Sequence, residues 1–480
     1  MKRLSVLPLA FFLLSVSGVW LTRSVEARTL PENGDLARVP ASSETVITLG
    51  DPIAVSGSGV IITGTTATIT AGGSYRATGT LADGMIDIDT TEAVTLTLDG
   101  VTLTNTSGPA ICVTNAEKLL LVLASGTSNT LTDGASYSDT DMKSTLFSND
   151  TLEISGDGVL TITGNYKHGI ASDDDLIISG GDITIVSTVK DGFHANDLIT
   201  VSGGTIDIEA VGSDGFESEG DFVVTGGTLT VVATGDGIKS ANAITVTDGQ
   251  IYIDATGDAM DSGGTLVIDG GVIVALGGGS GFACGDGYEV MLNGGTVVAT
   301  GSANSTPSGS STQYIAVLGS QSVGTALYLE RDDGTDVLTF EVSKAYQSML
   351  FTSPDLLGSR TYTAYKGGSI SGGTDFHGLY TGATYSGGTT WAIFTTDSVV
   401  TSVTDLVMIY LPLVMAEGDN GTTPFGETMI TLGTPITVDG SGVDVSGTTA
   451  TITAGGSYRA TGTLADGMIA VDTKIGRAHV

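Results

Sequence analysis

A short punctuation mark returns through the middle of the chain at His168-Gly169, Asp191-Gly192, Asp214-Gly215, Asp236-Gly237, Asp258-Ala259 and Ser280-Gly281, in steps of 22 or 23 residues. A second mark keeps phase with it at Gly180-Gly181, Gly203-Gly204, Gly226-Gly227, Asp248-Gly249, Gly270-Gly271 and Gly294-Gly295, in steps of 22 to 24. A fixed period of this length belongs to repeat architectures. Between the marks run segments such as "DLIISGGDITIVST" and "DFVVTGGTLTVVAT", apolar at every second position. That is the period of strands with one buried face. Two or three such strands cannot bury that face alone, and stacking the units does. The repeat therefore predicts an all-β parallel β-helix with about 22–24 residues per coil. Equivalent residues of successive coils then lie about 4.8 Å apart. Neither a Leu-x-x-Leu-x-Leu pattern nor a Trp-Asp blade signature is present to support the competing repeat folds.

Composition agrees: 70 of 480 residues are Gly, and charged residues make up 15%, well under the usual quarter. The net charge of -35, from 53 acidic and 18 basic residues, repels polyanions and argues against nucleic acid as a partner. The first 27 residues carry Lys2 and Arg3, an apolar run from Leu4 to Leu21 and a small-residue site at Val25-Glu26-Ala27, which reads as a secretory signal peptide. An uncleaved anchor is the alternative. The later apolar stretch Leu406–Met415 is too short to span a bilayer and is broken by Pro412, so no membrane span is expected after cleavage. Cys112 and Cys284 have no metal-binding spacing and are expected to be small buried residues. The histidines likewise show no zinc spacing.

A second repeat is of another kind. Residues 46–90 recur from Met429 with about four positions in five identical. The intervening "MAEGDNGTTPFGET" has linker composition. The reading is a leader at 1–27, a linker at 28–45, the β-helix domain at 46–400, a linker at 401–428, the truncated start of a second copy at 429–473, and an anomalous tail at 474–480. The segment 312–396 carries no repeat and is either a continuation or a cap of the helix.

In-register stacking places Asp191, Asp214, Asp236 and Asp258 in one column, and His194, Glu217, Lys239 and Asp261, three residues on, in a second. Five residues on, Asp173, Asn196, Glu219, Ala241 and Gly263 form a third. Unit charges about 5 Å apart repel by roughly 3 kcal/mol at an effective dielectric near 20, so protons or cations must neutralise the column. Calcium suits it, because its flexible oxygen shell can bridge carboxylates of adjacent rungs. The expected metal ligands are Asp191, Asp214, Glu217, Asp236, Asp258 and Asp261, with Asn196, Glu219 and Lys239 as the expected carbohydrate contacts. Taken singly, each Asp before Gly is also a common turn former.

With "GTLADGMIDIDT", "SGPAICVTNAEKL", "GIASDDDLIISGG", "GDGIKS" and "EVMLNGGTVVATGS" in view, the chain resembles the secreted right-handed β-helix carbohydrate-binding proteins of cellulolytic bacteria over roughly residues 46–400. Those proteins carry calcium and bind cellulose and polygalacturonate. The family in turn resembles the family 9 polysaccharide lyases, pectate-lyase-like solenoids that use Asp-bound calcium and a lysine base. One departure is His168 in place of Asp at the first rung, which puts a metal at that end in doubt. The resemblance implies a secreted, monomeric, non-catalytic, calcium-dependent binder of plant cell-wall polysaccharide: polygalacturonate or pectin, with cellulose a further candidate. The alternatives are a lyase with Lys239 as catalytic base, disfavoured because neighbouring carboxylates raise its pKa, and a structural or adhesive cell-surface solenoid.

Overall fold

The structure, a computed structural model, describes residues 44–403 except 188 and 211, together with 428–432, 436–447, 449–453, 458–462 and 468–471. The leader, most of both linkers and the 474–480 tail lie outside the described residues. Among the described residues every regular element is a strand, and no helix is long and apolar enough to cross a membrane.

From Ile111 onward each coil has three strands, whereas in the two coils before it the second and third merge into one long strand, Gly73–Leu81 and Val94–Thr104. One coil runs through Phe193–Ala195, Ile199–Val201 and Thr205–Ala210, and the next through Phe216–Ser218, Phe222–Val224 and Thr228–Ala233. Corresponding strands pair in parallel, residue for residue, as in Phe193↔Phe216↔Ile238↔Met260↔Phe282. The short first strands form one 11-stranded sheet, and the second and third strands lie in a 23-stranded sheet. The result is the parallel β-solenoid expected from the period.

Alternation along each strand decides what lies inside. Ile206, Leu229, Ile251 and Ile273 stack as fully buried residues on one line, with Asp207, Thr230 and Tyr252 turned outward beside them. Phe193 and Phe216 stack with ring centroids 4.8 Å apart and planes within 7°, which is the rung spacing itself. They are core residues, not a sugar platform. Glycine is favoured at two places in the coil, with Ala259 replacing it at one corner. In the turn between the second and third strands, Gly204, Gly227, Gly249 and Gly271 all have φ between +90° and +122°, a region costly for a residue with a Cβ. At the corner, a Cβ on Gly215 would collide with Val231 and with the Gly237 carbonyl.

The last parallel rung, Thr296–Gly301, pairs antiparallel with Tyr346–Thr352. The segment from Ile315 onward is therefore a cap, built on a six-stranded antiparallel sheet. Its apolar cluster, with Met349, Phe351, Tyr362 and Trp391, covers Val274, Leu276 and Val298 on the outer face of the final coils. Lys344 Nζ donates to Asp254 Oδ1 at 2.7 Å and joins cap to coil. Trp391 is 5% exposed. At the other end the antiparallel pairs Thr45–Leu49 with Ala54–Ser56 and Val60–Thr63 with Thr66–Ile69 begin the stack. The later copy repeats the pattern, Thr428 pairing with Tyr458 as Thr45 does with Tyr75.

Candidate functional site

The corner sheet carries the two acidic columns in the register expected. Backbone pairing runs His194↔Glu217↔Lys239↔Asp261, with Asp191, Asp214, Asp236 and Asp258 just before the corresponding strands. The first column has a structural duty. Asp191 Oδ1 accepts from the Asp214 amide at 3.0 Å, Asp214 Oδ1 from the Asp236 amide at 2.7 Å, and Asp236 Oδ1 from the Asp258 amide at 2.7 Å. Asp258 Oδ1 likewise accepts from the Ser280 amide. One oxygen of each carboxylate thus closes the corner of the next coil, as a turn former does. The other remains for the second column.

What those second oxygens meet changes along the ladder. Asp191 Oδ2 lies 2.9 Å from His168 Nδ1 and 3.8 Å from His194 Nδ1. Asp214 Oδ2 lies 3.6 Å from Lys239 Nζ, which is also 3.2 Å from Glu217 Oε1. Among the described residues two sets of three ligand atoms converge within 4.8 Å: His168, Asp191 and His194, and Asp191, Asp214 and Glu217. Asp236, Asp258 and Asp261 stack on the following rungs and belong to neither set. Asn196 donates Nδ2–H to Asp173 Oδ1 at 3.1 Å and turns its Oδ1 to His194 Nε2 at 3.2 Å. Glu219 is solvent-exposed, 4.0 Å from His194 Nε2.

The electrostatics follow from crowding acids into a half-buried row. Burial, reinforced by Asp191 and Asp236, pushes the Asp214 carboxyl up to about 6 against the Asp236 amide and Lys239. Burial also raises Asp236 and Asp261, with acidic neighbours adding to it. At Asp191 burial acts the same way, but the His168 imidazole outweighs it and holds the carboxyl well below the usual range. Burial lowers His168 itself. Hydrogen bonding to His194 holds Glu217 low, against burial. Burial works against the Lys239 ammonium, but Asp214 and Glu217 outweigh it and raise its pKa. Lys239 thus lies as a cation between Asp214 and Glu217.

Sequence spacing missed the histidine pair. His168 and His194 stack with ring centroids 4.6 Å apart, although the backbone pairs His194 with Ala171, so the two rings meet diagonally between adjacent rungs and neighbouring columns. Of the cysteines, Cys112 is buried, its thiol pushed up to about 12 by burial, while Cys284 is only half-buried.

A family model described as a carbohydrate-binding domain-containing protein matches residues 63–326. A carbohydrate-binding domain-containing protein of Acetivibrio thermocellus is 38% identical over 120 residues, covering 24% of this chain and 42% of the relative. The chain thus spans less than half the length of that curated relative. A solved structure described as the polysaccharide lyase-like protein from C. thermocellum, as a gadolinium derivative, aligns with 30% identity and a TM-score of 0.42, covering 52% of this chain and 99% of the other.

Proposed function

The chain belongs to the family of carbohydrate-binding domain-containing proteins, and from that premise we propose that it is a secreted, non-catalytic binder of acidic plant polysaccharide, polygalacturonate or pectin, that works through calcium. The observation that carries this reading is the row of second carboxylate oxygens along the Asp191, Asp214, Asp236 and Asp258 column beside Glu217 and Asp261, with His168 against the first of them and Lys239 3.6 Å from the second. Their first oxygens are engaged by backbone amides, so the remaining oxygens line one edge of the solenoid.

The donor set fits the ion. Asp191, Asp214 and Glu217 place three carboxylate oxygens within 4.8 Å of one another, and calcium takes six to eight oxygens at about 2.3–2.6 Å. A bound calcium supplies coordination positions that uronate carboxylates can fill, which lets an anionic protein hold an anionic polymer. Asp191, Asp214 and Glu217 would hold it, with Asp236, Asp258 and Asp261 continuing the row. Asn196 and Glu219, on the turn after the column, stand where a chain lying along the edge would pass. Lys239, kept protonated by its neighbours, would pair with a uronate carboxylate and has the wrong charge state for a general base.

The test passes the full chain over immobilised polygalacturonate with calcium or with chelator, following retention and the ultraviolet absorbance of unsaturated product together. Retention that needs calcium, with no product, supports the proposal. Product that needs calcium and vanishes in Lys239→Ala would replace it with a lyase. Equal retention with chelator would remove the ion from the account.

A further inference from the structure

The first two rungs of the ladder differ in chemistry from the rest. His168, Asp191 and His194 are 3%, 1% and 8% exposed, and His168 Nδ1, Asp191 Oδ2 and His194 Nδ1 are all buried atoms without an aligned hydrogen bond. Buried polar atoms without aligned partners are costly, and these three face one another. Glu217 Oε2 lies 3.3 Å from His194 Nδ1 as well.

The tautomer of His194 is set from outside. Asn196 donates its Nδ2–H to the Asp173 carboxylate, which itself accepts from Lys143 Nζ at 2.7 Å. The amide is thereby oriented with Oδ1 toward His194 Nε2, so Nε2 carries a proton. His194 Nδ1, whose proton Glu217 accepts, thus faces the carboxylate oxygens of Asp191 and Glu217. Two imidazoles and two carboxylates that converge in a buried pocket offer nitrogen and oxygen ligands to a cation that displaces the ring protons.

We infer that His168, Asp191 and His194, with Glu217 beside them, form a site for a divalent transition metal of the zinc class at the start of the ladder, sharing Asp191 and Glu217 with the all-oxygen set that continues to Asp214. Imidazole nitrogen suits zinc, copper and nickel, whereas calcium takes oxygen. Ligands at about 2.0–2.1 Å from a tetrahedral ion lie about 3.3 Å from one another, and the separations here of 2.9, 3.3 and 3.8 Å bracket that value. The Lys143–Asp173–Asn196 chain is the outer partner that metal-bound histidines commonly require. The inference rests on the two histidines, which the oxygen row does not use, and shares Asp191 and Glu217 with that row.

The test titrates zinc, and separately cobalt, into the metal-stripped full chain in the presence of excess calcium. The expected result is one equivalent of zinc retained despite calcium, and visible cobalt absorption of the intensity that four-coordinate nitrogen-containing sites give. His194→Gln should weaken zinc at least 100-fold. His168→Asp, which installs the residue that the next four rungs carry, should do the same while leaving calcium-dependent polymer retention intact. Asn196→Ala, which removes the oxygen facing His194 Nε2, should cost about 10–100-fold in zinc affinity. Zinc displaced by equimolar calcium, or bound equally well by the wild type, His168→Asp and His194→Gln, would overturn the assignment. Should one variant fail to fold, the cobalt spectrum and calcium competition of the wild type decide the question.

Discussion

Replacing Asp214 by Asn isolates the charge of the acidic column from its hydrogen bonding. The carboxamide keeps a carbonyl oxygen for the Asp236 amide, which Asp214 Oδ1 now accepts at 2.7 Å, but removes a charge flanked by Asp191 and Asp236 one rung away on either side. Each neighbour at about 4.8 Å repels by roughly 3 kcal/mol at an effective dielectric of 20. Lys239 Nζ at 3.6 Å returns roughly 4–5 kcal/mol on the same scale, leaving a net penalty of about 2 kcal/mol. The acid constant leads to the same order: a carboxyl pushed from 3.8 up to about 6 corresponds to about 3 kcal/mol. The folded state binds this proton more tightly than the unfolded chain, so calcium-free stability rises as pH falls from about 6 toward 3.8. Without calcium at pH 7, Asp214→Asn should therefore be more stable than the wild type by about 2–3 kcal/mol. Its stability should also vary less between pH 7 and pH 5. With calcium the order should reverse, because the ion loses a ligand. Urea unfolding of both proteins in chelator and in millimolar calcium, at the two pH values, measures all four terms. A variant less stable than the wild type in chelator at pH 7, or one stabilised by calcium as strongly as the wild type, would refute the reasoning.

Two further substitutions probe the neighbouring parts of the same coils. Phe216→Ala empties a fully buried position stacked on Phe193 and should cost about 3–5 kcal/mol, read as a lower urea midpoint with the polysaccharide specificity unchanged. Lys239→Met removes the ammonium that touches Asp214 and Glu217. It should raise calcium affinity about tenfold, by about 1.4 kcal/mol after discounting for solvent screening of a side chain 40% exposed, as measured by calorimetric titration. Unchanged or weaker calcium binding in Lys239→Met would mean that the ion sits away from these rungs.

How much of this could be read from sequence depends on which interactions share the period of the backbone. The Asp-Gly marks return every 22 or 23 residues because each coil closes at the same corner, so the columns and their partners, His194↔Glu217↔Lys239↔Asp261, were legible from the spacing alone. The cap was not, because antiparallel pairing such as Thr296–Gly301 with Tyr346–Thr352 has no fixed step. Side-chain commitments lie between these cases. That every column Asp engages one oxygen with the amide of the next rung follows from the turn and repeats with it. That Asn196 orients His194, and that Asp173 and Lys143 orient Asn196 in turn, depends on single residues in neighbouring coils that occur once. The histidine pair shows the limit most clearly. Metal motifs are ordinarily sought within one turn or loop, whereas His168 and His194 are separated by one full coil plus the three-residue offset between columns. In a solenoid the spacing that brings ligands together is an offset within the coil plus a whole number of periods, so the register must be established before a metal spacing can be recognised.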